Sequence, residues 1–167
     1  MDFFEVIEKR HSSRSYKPEA VEKEKLQKLL DAVKIAPTAC NLQAFKLYVI
    51  ETKSNKEGLK KLYGRDWFTE APYVIGICAI KDKSWVRRDG KRYSDVDCAI
   101  VMDHLILSAT ALGLGTCWIG AFDANAAREL LELDEALEPI AFTPLGYEKD
   151  NQFTKSRKEI EELVVFK

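Results

Sequence analysis

The chain predicts a layered domain with helices on both sides of a central sheet. Three observations carry this. Tyr73 to Ile80 reads YVIGICAI, an unbroken apolar run suited to a strand covered on both faces. Leu26, Leu29, Leu30 and Val33 recur at three and four residues, with charged residues between them, as in an amphipathic helix. Stretches of strand character alternate with helical ones, and no repeat or low-complexity tract interrupts them, which weighs against a barrel or a bundle. At 167 residues the chain makes one domain, residues 1–167, large enough for a hydrophobic core without staples.

The elements follow in order. Asp2 with Glu5 three residues later marks a helix start, with Phe3, Phe4, Val6 and Ile7 giving apolar contacts, ending near Arg10. Pro18 opens a linker to the Leu26–Val33 helix, and Pro37 stops it. Phe45 to Ile50, aromatic and β-branched, reads as a strand. Ser54 with Glu57 marks a helix toward Leu62, and the Tyr73 strand follows Pro72. Lys81 to Tyr93, charged and carrying Gly90, reads as a loop or lid. Ser94 and Asp97 are expected to cap a long helix to Leu112, with Gly113 and Gly115 supplying the special backbone after it. A short strand at Thr116 to Gly120 and a helix around Asn125 to Leu133 come next. Pro139 to Leu145 reads as a further strand whose two prolines favour an edge or an irregular segment. Lys158 to Leu163 reads as helical, and Val164, Val165 and Phe166 then need cover, from this chain's sheet or from a dimer partner. These clues leave the strand order open.

Composition narrows the function. Twenty-six Lys and Arg against 27 Asp and Glu give a net charge of −1, with no global attraction to nucleic acid or anionic lipid. The basic run from Arg87 to Arg92 lacks the area and stacking platform of a nucleic-acid surface. The longest apolar stretch, Ala99 to Leu114, is broken by Asp103 and His104, so no membrane span is expected. The opening residues lack the pattern of a secretion signal, and the cysteines (Cys40, Cys78, Cys98, Cys117) form no CxxC pair. Free thiols in the cytoplasm are the expectation. With only His11 and His104 and no HExxH, no metal site is expected; His104 reads as a structural hydrogen-bonder in the long helix.

Two basic clusters stand out. Arg10, Ser12 and Arg14 alternate, so an extended backbone turns them to one side, a set suited to phosphate oxygens. Lys155, Arg157 and Lys158 lie at the other end, and spacing alone does not show that the two clusters meet. Neither GxGxxG nor GxxxxGK[ST] is present, so a phosphate site here must use side chains and a different turn.

Four segments in order carry a resemblance over nearly the full length: RHSSRSY from Arg10 to Tyr16, APTACNLQ from Ala36 to Gln43, ALGLGTCWIG from Ala111 to Gly120, and Leu145-Gly146-Tyr147 followed by Lys155-Ser156-Arg157-Lys158. Together they resemble the nitroreductase family of FMN-dependent oxidoreductases. The resemblance implies an α+β fold, a three-layer helix/sheet/helix domain with a mainly antiparallel central sheet, in an intertwined homodimer with FMN at the subunit interface. It implies that Arg10, His11, Ser12 and Arg14 hold the phosphate–ribityl end of FMN, with Lys155 and Arg157 completing the phosphate site. Pro37, Thr38, Ala39 and Asn41 would reach FMN from the other subunit, with Gln43 fixing that loop. Thr116, Cys117 and Trp118 would run beside the isoalloxazine ring, and Pro139 and Ile140 would lie along it.

No catalytic side chain is implied, because the redox chemistry belongs to FMN. The implied activity is electron transfer from NADH or NADPH to a small electrophilic acceptor such as a nitroaromatic or quinone, by a ping-pong mechanism. The alternative is a non-catalytic flavin-binding dimer with a regulatory or sensing role. The chain departs from the family pattern at Ala44 and Phe45, after Gln43, and in the short 81–93 segment, where Trp85, Arg87, Arg88, Lys91 and Arg92 would select an aromatic or anionic partner. The family's polar flavin-contacting residue near 63–66 has no clear counterpart among Tyr63, Gly64, Arg65 and Asp66. The tail at 158–167 is expected to cross to the partner.

Overall fold

The computed structural model describes residues 1–150 and 153–167. Its elements are α1 (Phe3–Lys9), α2 (Lys23–Ile35), β1 (Phe45–Glu51), α3 (Thr52–Leu62), β2 (Tyr73–Ile80), α4 (Ser94–Ala111), β3 (Gly115–Thr116), α5 (Ala124–Leu131), β4 (Leu137–Gly146) and α6 (Ile160–Leu163). The four strands run in the order β1-β2-β4-β3, every neighbouring pair antiparallel.

The continuous apolar run of β2 is explained by cover on both faces. Ile75, Ile77 and Ala79 join α2 and α4 through Leu29, Val33, Met102 and Leu105, all buried. Val74, on the opposite face, joins Leu59 and Leu62 of α3, Ala127 of α5 and Phe142 of β4. The period of two in the strand thus divides one apolar run between two cores. Ala36, before Pro37, takes the extended backbone that a following proline imposes, and this ends α2.

Local signals hold at the first helix and shift elsewhere. Asp2 and Glu5 form the expected reciprocal cap of α1, yet of its apolar residues only Val6 is buried; Phe3 and Phe4 stand exposed. Ser94 and Asp97 do not cap α4: Tyr93 precedes it, Ser94 donates to Asp95, and Asp97 reaches across to Ala39. Helix α3 begins at Thr52, two residues before the expected Ser54, and α5 is capped by Asp123 and ends at Leu131. Only Ile160–Leu163 of the tail is helical.

Two strand expectations are corrected together. β4 is an inner strand, flanked by β2 and β3, and not an edge. Pro139 is accommodated at a register shift that leaves Ile140 without a partner between Ile77 and Cys78. Pro144 stands where the continuing register would place Cys117 opposite, and it has no N–H to give. The Cys117 N–H turns instead to the Thr143 hydroxyl at 2.9 Å. The expected 116–120 strand therefore shrinks to Gly115–Thr116, with one further bridge at Ile119 and Phe142.

Residues 81–93 form a small hairpin. Val86 bridges Arg92, Gly90 turns at φ 88°, and the Trp85 and Tyr93 rings meet edge to face. Arg87 bonds to Asp89 and Tyr93, and Arg92 to the Lys81 carbonyl, which ties both side chains into the hairpin. Among the described residues no helix is long and apolar enough to cross a membrane.

Candidate functional site

The N-terminal arm is placed by backbone bonds to distant segments. Ser13 N–H donates to the Thr116 carbonyl at 2.9 Å, Lys17 N–H to the Tyr147 carbonyl at 2.8 Å, and Lys149 N–H to the Ser15 carbonyl. Tyr16 is fully buried, its hydroxyl donating to the Ser13 carbonyl and its N–H to the Glu70 carboxylate. With Ser13 and Tyr16 pinned inward, Arg10, Ser12 and Arg14 are left for the outer side.

These three meet the other basic cluster. Arg10, His11, Ser12, Arg14, Lys155 and Arg157 line one open cleft of about 470 Å³. Burial, with the Arg10 and Arg157 charges beside it, holds the Lys155 ammonium below its usual range. The Lys155 ammonium also donates to the Ile7 and Glu8 carbonyls at the end of α1. Convergent cations of this kind repel one another until an anion sits among them, and their directed donors match a phosphate.

His11 is committed to structure. Its Nδ1 lies 3.0 Å from the Lys9 carbonyl and its Nε2 3.1 Å from Glu148, while its ring stacks on Phe153 with centroids 3.9 Å apart. His104 likewise bonds back along its helix, to the Ile100 carbonyl.

Thr116 is buried beside the arm, and Cys117 next to it is buried too. Burial pushes the Cys117 thiol up, against the opposing pull of Arg14, a hydrogen bond from Ser12, and Arg10. A thiol raised in this way packs and does not react. Trp118 presents its ring outward at 41% exposure.

The loop at 38–43 is built differently. Cys40, Asn41 and Gln43 all take left-handed φ, 50° to 54°, which disfavours side-chain-bearing residues. Short bonds hold it there: Gln43 N–H to the Thr38 hydroxyl at 3.0 Å, the Gln43 amide to the Asn41 side chain, and Ala39 N–H to Asp97 at 2.9 Å. Asp97 is 1% exposed, and its second oxygen has no hydrogen-bond partner among the described residues.

Pro37, Thr38, Ala39, Asn41, Pro139 and Ile140 do not line the basic cleft. Nor do Tyr63, Gly64, Arg65 and Asp66; the Tyr63 ring packs edge to face on Trp67 and Phe68. Within one chain, then, the predicted site residues fall into a basic cleft with the adjoining 116–118 segment, a separate strained loop, and the Pro139–Ile140 register shift in β4. Sequence reasoning missed Asp97, Glu148, Glu70 and Phe153. Asp97 shares the first turn of α4 with Ser94 and Asp95, so it read as a helix-start charge, and the other three carried no signal.

Comparison with known proteins places this geometry. A family model described as "Putative TM nitroreductase" matches residues 2–167. A "Putative NADH dehydrogenase/NAD(P)H nitroreductase" from Methanothermobacter thermautotrophicus is 31% identical over 164 residues, covering 93% of this chain and 82% of the relative. The crystal structure of a nitroreductase family protein from Clostridium difficile 630 superposes with a TM-score of 0.90 at 40% identity, covering 99% of this chain and 98% of that one. A "putative nitroreductase" from Exiguobacterium sibiricum 255-15, solved in complex with FMN, shares the fold with a TM-score of 0.88 at 20% identity, covering 100% of this chain and 98% of that one. With the match running from the α1 cap to the last residue, this chain belongs to the nitroreductase family of FMN-dependent oxidoreductases.

Proposed function

We propose that the protein is an FMN-dependent NAD(P)H oxidoreductase that passes electrons to a small electrophilic acceptor, a nitroaromatic or a quinone, in ping-pong fashion. The observation that carries the reading is the meeting of Arg10, Arg14, Lys155 and Arg157, from opposite ends of the chain, around one cleft. The donor set fits the phosphate of FMN: four cations and the Ser12 hydroxyl offer directed hydrogen bonds to a dianion, and the mutual repulsion felt at Lys155 is what an anion relieves.

When bound, FMN supplies hydride and electron transfer, and the chain supplies position and charge. Arg10, Ser12, Arg14, Lys155 and Arg157 hold the phosphate. Thr116, Cys117 and Trp118 continue directly from the bond between Thr116 and Ser13, and this segment would run beside the attached ring. The exposed Trp118 indole offers an apolar wall that excludes water.

Pro139 and Ile140 lie along the ring, and Pro37, Thr38, Ala39 and Asn41 complete the site from a second copy of the chain. Their separation from the basic cleft within one chain supports this, and so does the apolar surface left uncovered: Phe3, Phe4, Ile160, Leu163, Val165 and Phe166 are all more than half exposed. Residues 158–167 are the segment best placed to cross to that copy.

The test is the absorption spectrum of purified, FMN-loaded, desalted protein, followed by anaerobic reduction with NADH and NADPH separately. A retained flavin band that bleaches with either nucleotide and returns on adding a quinone is expected. A colourless protein would overturn the cofactor assignment, and a band that neither nucleotide bleaches would leave only the flavin-binding role.

A further inference from the structure

Glu148 lies outside the phosphate-binding set, yet the structure is built to receive it. A Cβ on Gly115 would stand 2.4 Å from Glu148 Cγ and 2.7 Å from both Glu148 Oε1 and Ser13 Oγ, so only glycine leaves room for the carboxylate at this place. From there Oε1 meets His11 Nε2 at 3.1 Å, and the His11 ring lies flat against Phe153, 7° from parallel. Phe153 in turn begins the described segment that carries Lys155 and Arg157 into the basic cleft.

The hydrogen-bond arithmetic at His11 is restrictive. The Lys9 carbonyl can only accept, so Nδ1 carries a proton. Nε2 then faces a carboxylate as an imidazolium, or a carboxylic acid as a neutral ring. Either way one further proton lies between the two groups. Without it, a lone pair and a carboxylate oppose each other. Burial, pushing the Glu148 carboxyl up, favours keeping that proton in the pair.

We propose that Glu148 is a positioning residue: through one proton shared with His11 it holds the imidazole against Phe153 and so sets the C-terminal basic arm against the N-terminal one. The ligand of those arms is taken from the function proposed above; the latch itself needs no ligand. Closing the latch takes up a proton, so it weakens as pH rises. Other charged and titratable groups line the two clefts that His11 borders: Met1 with its amino group, Lys9, Lys17 and Tyr147 in one, Arg10, Arg14, Lys155, Arg157 and Asp150 in the other, while Tyr16 lies within electrostatic reach of Glu148. All of them remain when Glu148 alone is changed.

Glu148→Gln makes the decisive variant. Its amide N–H can donate to a neutral Nε2, giving a latch that needs no shared proton, whereas Glu148→Ala has none. FMN and riboflavin affinities are measured by fluorescence quenching between pH 6.5 and 8.5, and the NMR shifts of the Phe153 ring protons, which its stacking on His11 moves upfield, are measured on the flavin-free protein. The wild type should lose about tenfold in FMN affinity across this range relative to Glu148→Gln. Glu148→Ala should bind FMN about tenfold more weakly at pH 6.5, with riboflavin, which lacks the phosphate, changed less than twofold.

The upfield shift of the Phe153 ring should follow the same order. Equal Phe153 shifts in Glu148→Ala and the wild type, or equal pH slopes in Glu148→Gln and the wild type, would overturn the latch. If the wild type binds no FMN, the cofactor reading fails, and the Phe153 shifts of the flavin-free protein decide the latch by themselves.

Discussion

The arm at residues 10–17 and the loop at residues 38–43 are both irregular backbone that the family resemblance assigns to one cofactor, and they are held still by opposite means. The arm borrows its order from afar: Thr116, Tyr147, Lys149 and Glu70 supply its hydrogen bonds, and its outward face carries Arg10 and Arg14. The loop carries its order within six residues, in left-handed conformations locked by its own side chains, with Asp97 as the one anchor from a distant helix. The difference separates two ways of building a site. A segment ordered by remote contacts and like charges gains most from a ligand that neutralises it. A segment ordered by overdetermined local geometry is ready before the ligand arrives.

The largest expected effect breaks the arm without touching the loop. Replacing Arg14 and Arg157 together with alanine removes two charge-assisted donors worth about 1.5–3 kcal/mol each, so FMN affinity should fall about a hundredfold or more. Both side chains are exposed, so urea unfolding of the flavin-free protein should shift by less than about 0.5 kcal/mol. Flavin titration of the folded double variant checks this, and unchanged affinity would remove these residues from the phosphate site.

The complementary change breaks the loop and spares the arm. Asp97→Ala leaves the Ala39 N–H without its acceptor in a buried setting, and should destabilise the flavin-free protein by about 2 kcal/mol in urea unfolding. Asp97→Asn keeps an acceptor oxygen and should recover much of that loss. Equal destabilisation by the two substitutions would mean that the anchor acts through its charge and not through its bond to Ala39.

The same contrast explains what could be read from the chain before its structure. β2 and α2 were legible because burial on a period imposes itself on the residues: YVIGICAI and the Leu26–Val33 spacing have few other uses. The two basic clusters were legible as clusters, but their meeting was not, since it depends on contacts such as that of Lys155 with the Glu8 carbonyl, 147 residues apart, that no local pattern encodes. Pro144 misled in one direction: proline suggests an edge, whereas here its missing N–H cuts β3 short while β4 stays inside the sheet. Asp97 misled in another, because a carboxylate in the first turn of a helix has a sufficient local explanation and hides its reach to Ala39.

The smallest effect sharpens the comparison at the arm's outer support. Glu70 accepts the Tyr16 N–H at 3.0 Å and the Lys149 ammonium at 3.2 Å, tying the arm to the segment beyond β4. The Tyr16 N–H holds the Glu70 carboxyl below its usual range, with burial opposing it and Lys149 adding to the pull. A carboxyl whose pKa is depressed by folding stabilises fully above its unfolded value, and the contribution is lost as pH falls through the folded one. The wild type should therefore lose stability on acidification below about pH 5 more steeply than Glu70→Gln, which still offers the Tyr16 N–H an acceptor but carries no charge to lose. Because Glu70 is partly exposed and solvent-screened, the gap between the two curves should stay under about 0.5 kcal/mol. Urea unfolding of both proteins at half-unit steps from pH 3.5 to 7 measures it. Parallel curves would show that the arm is held by the Tyr16 N–H bond alone, with the charge on Glu70 contributing nothing.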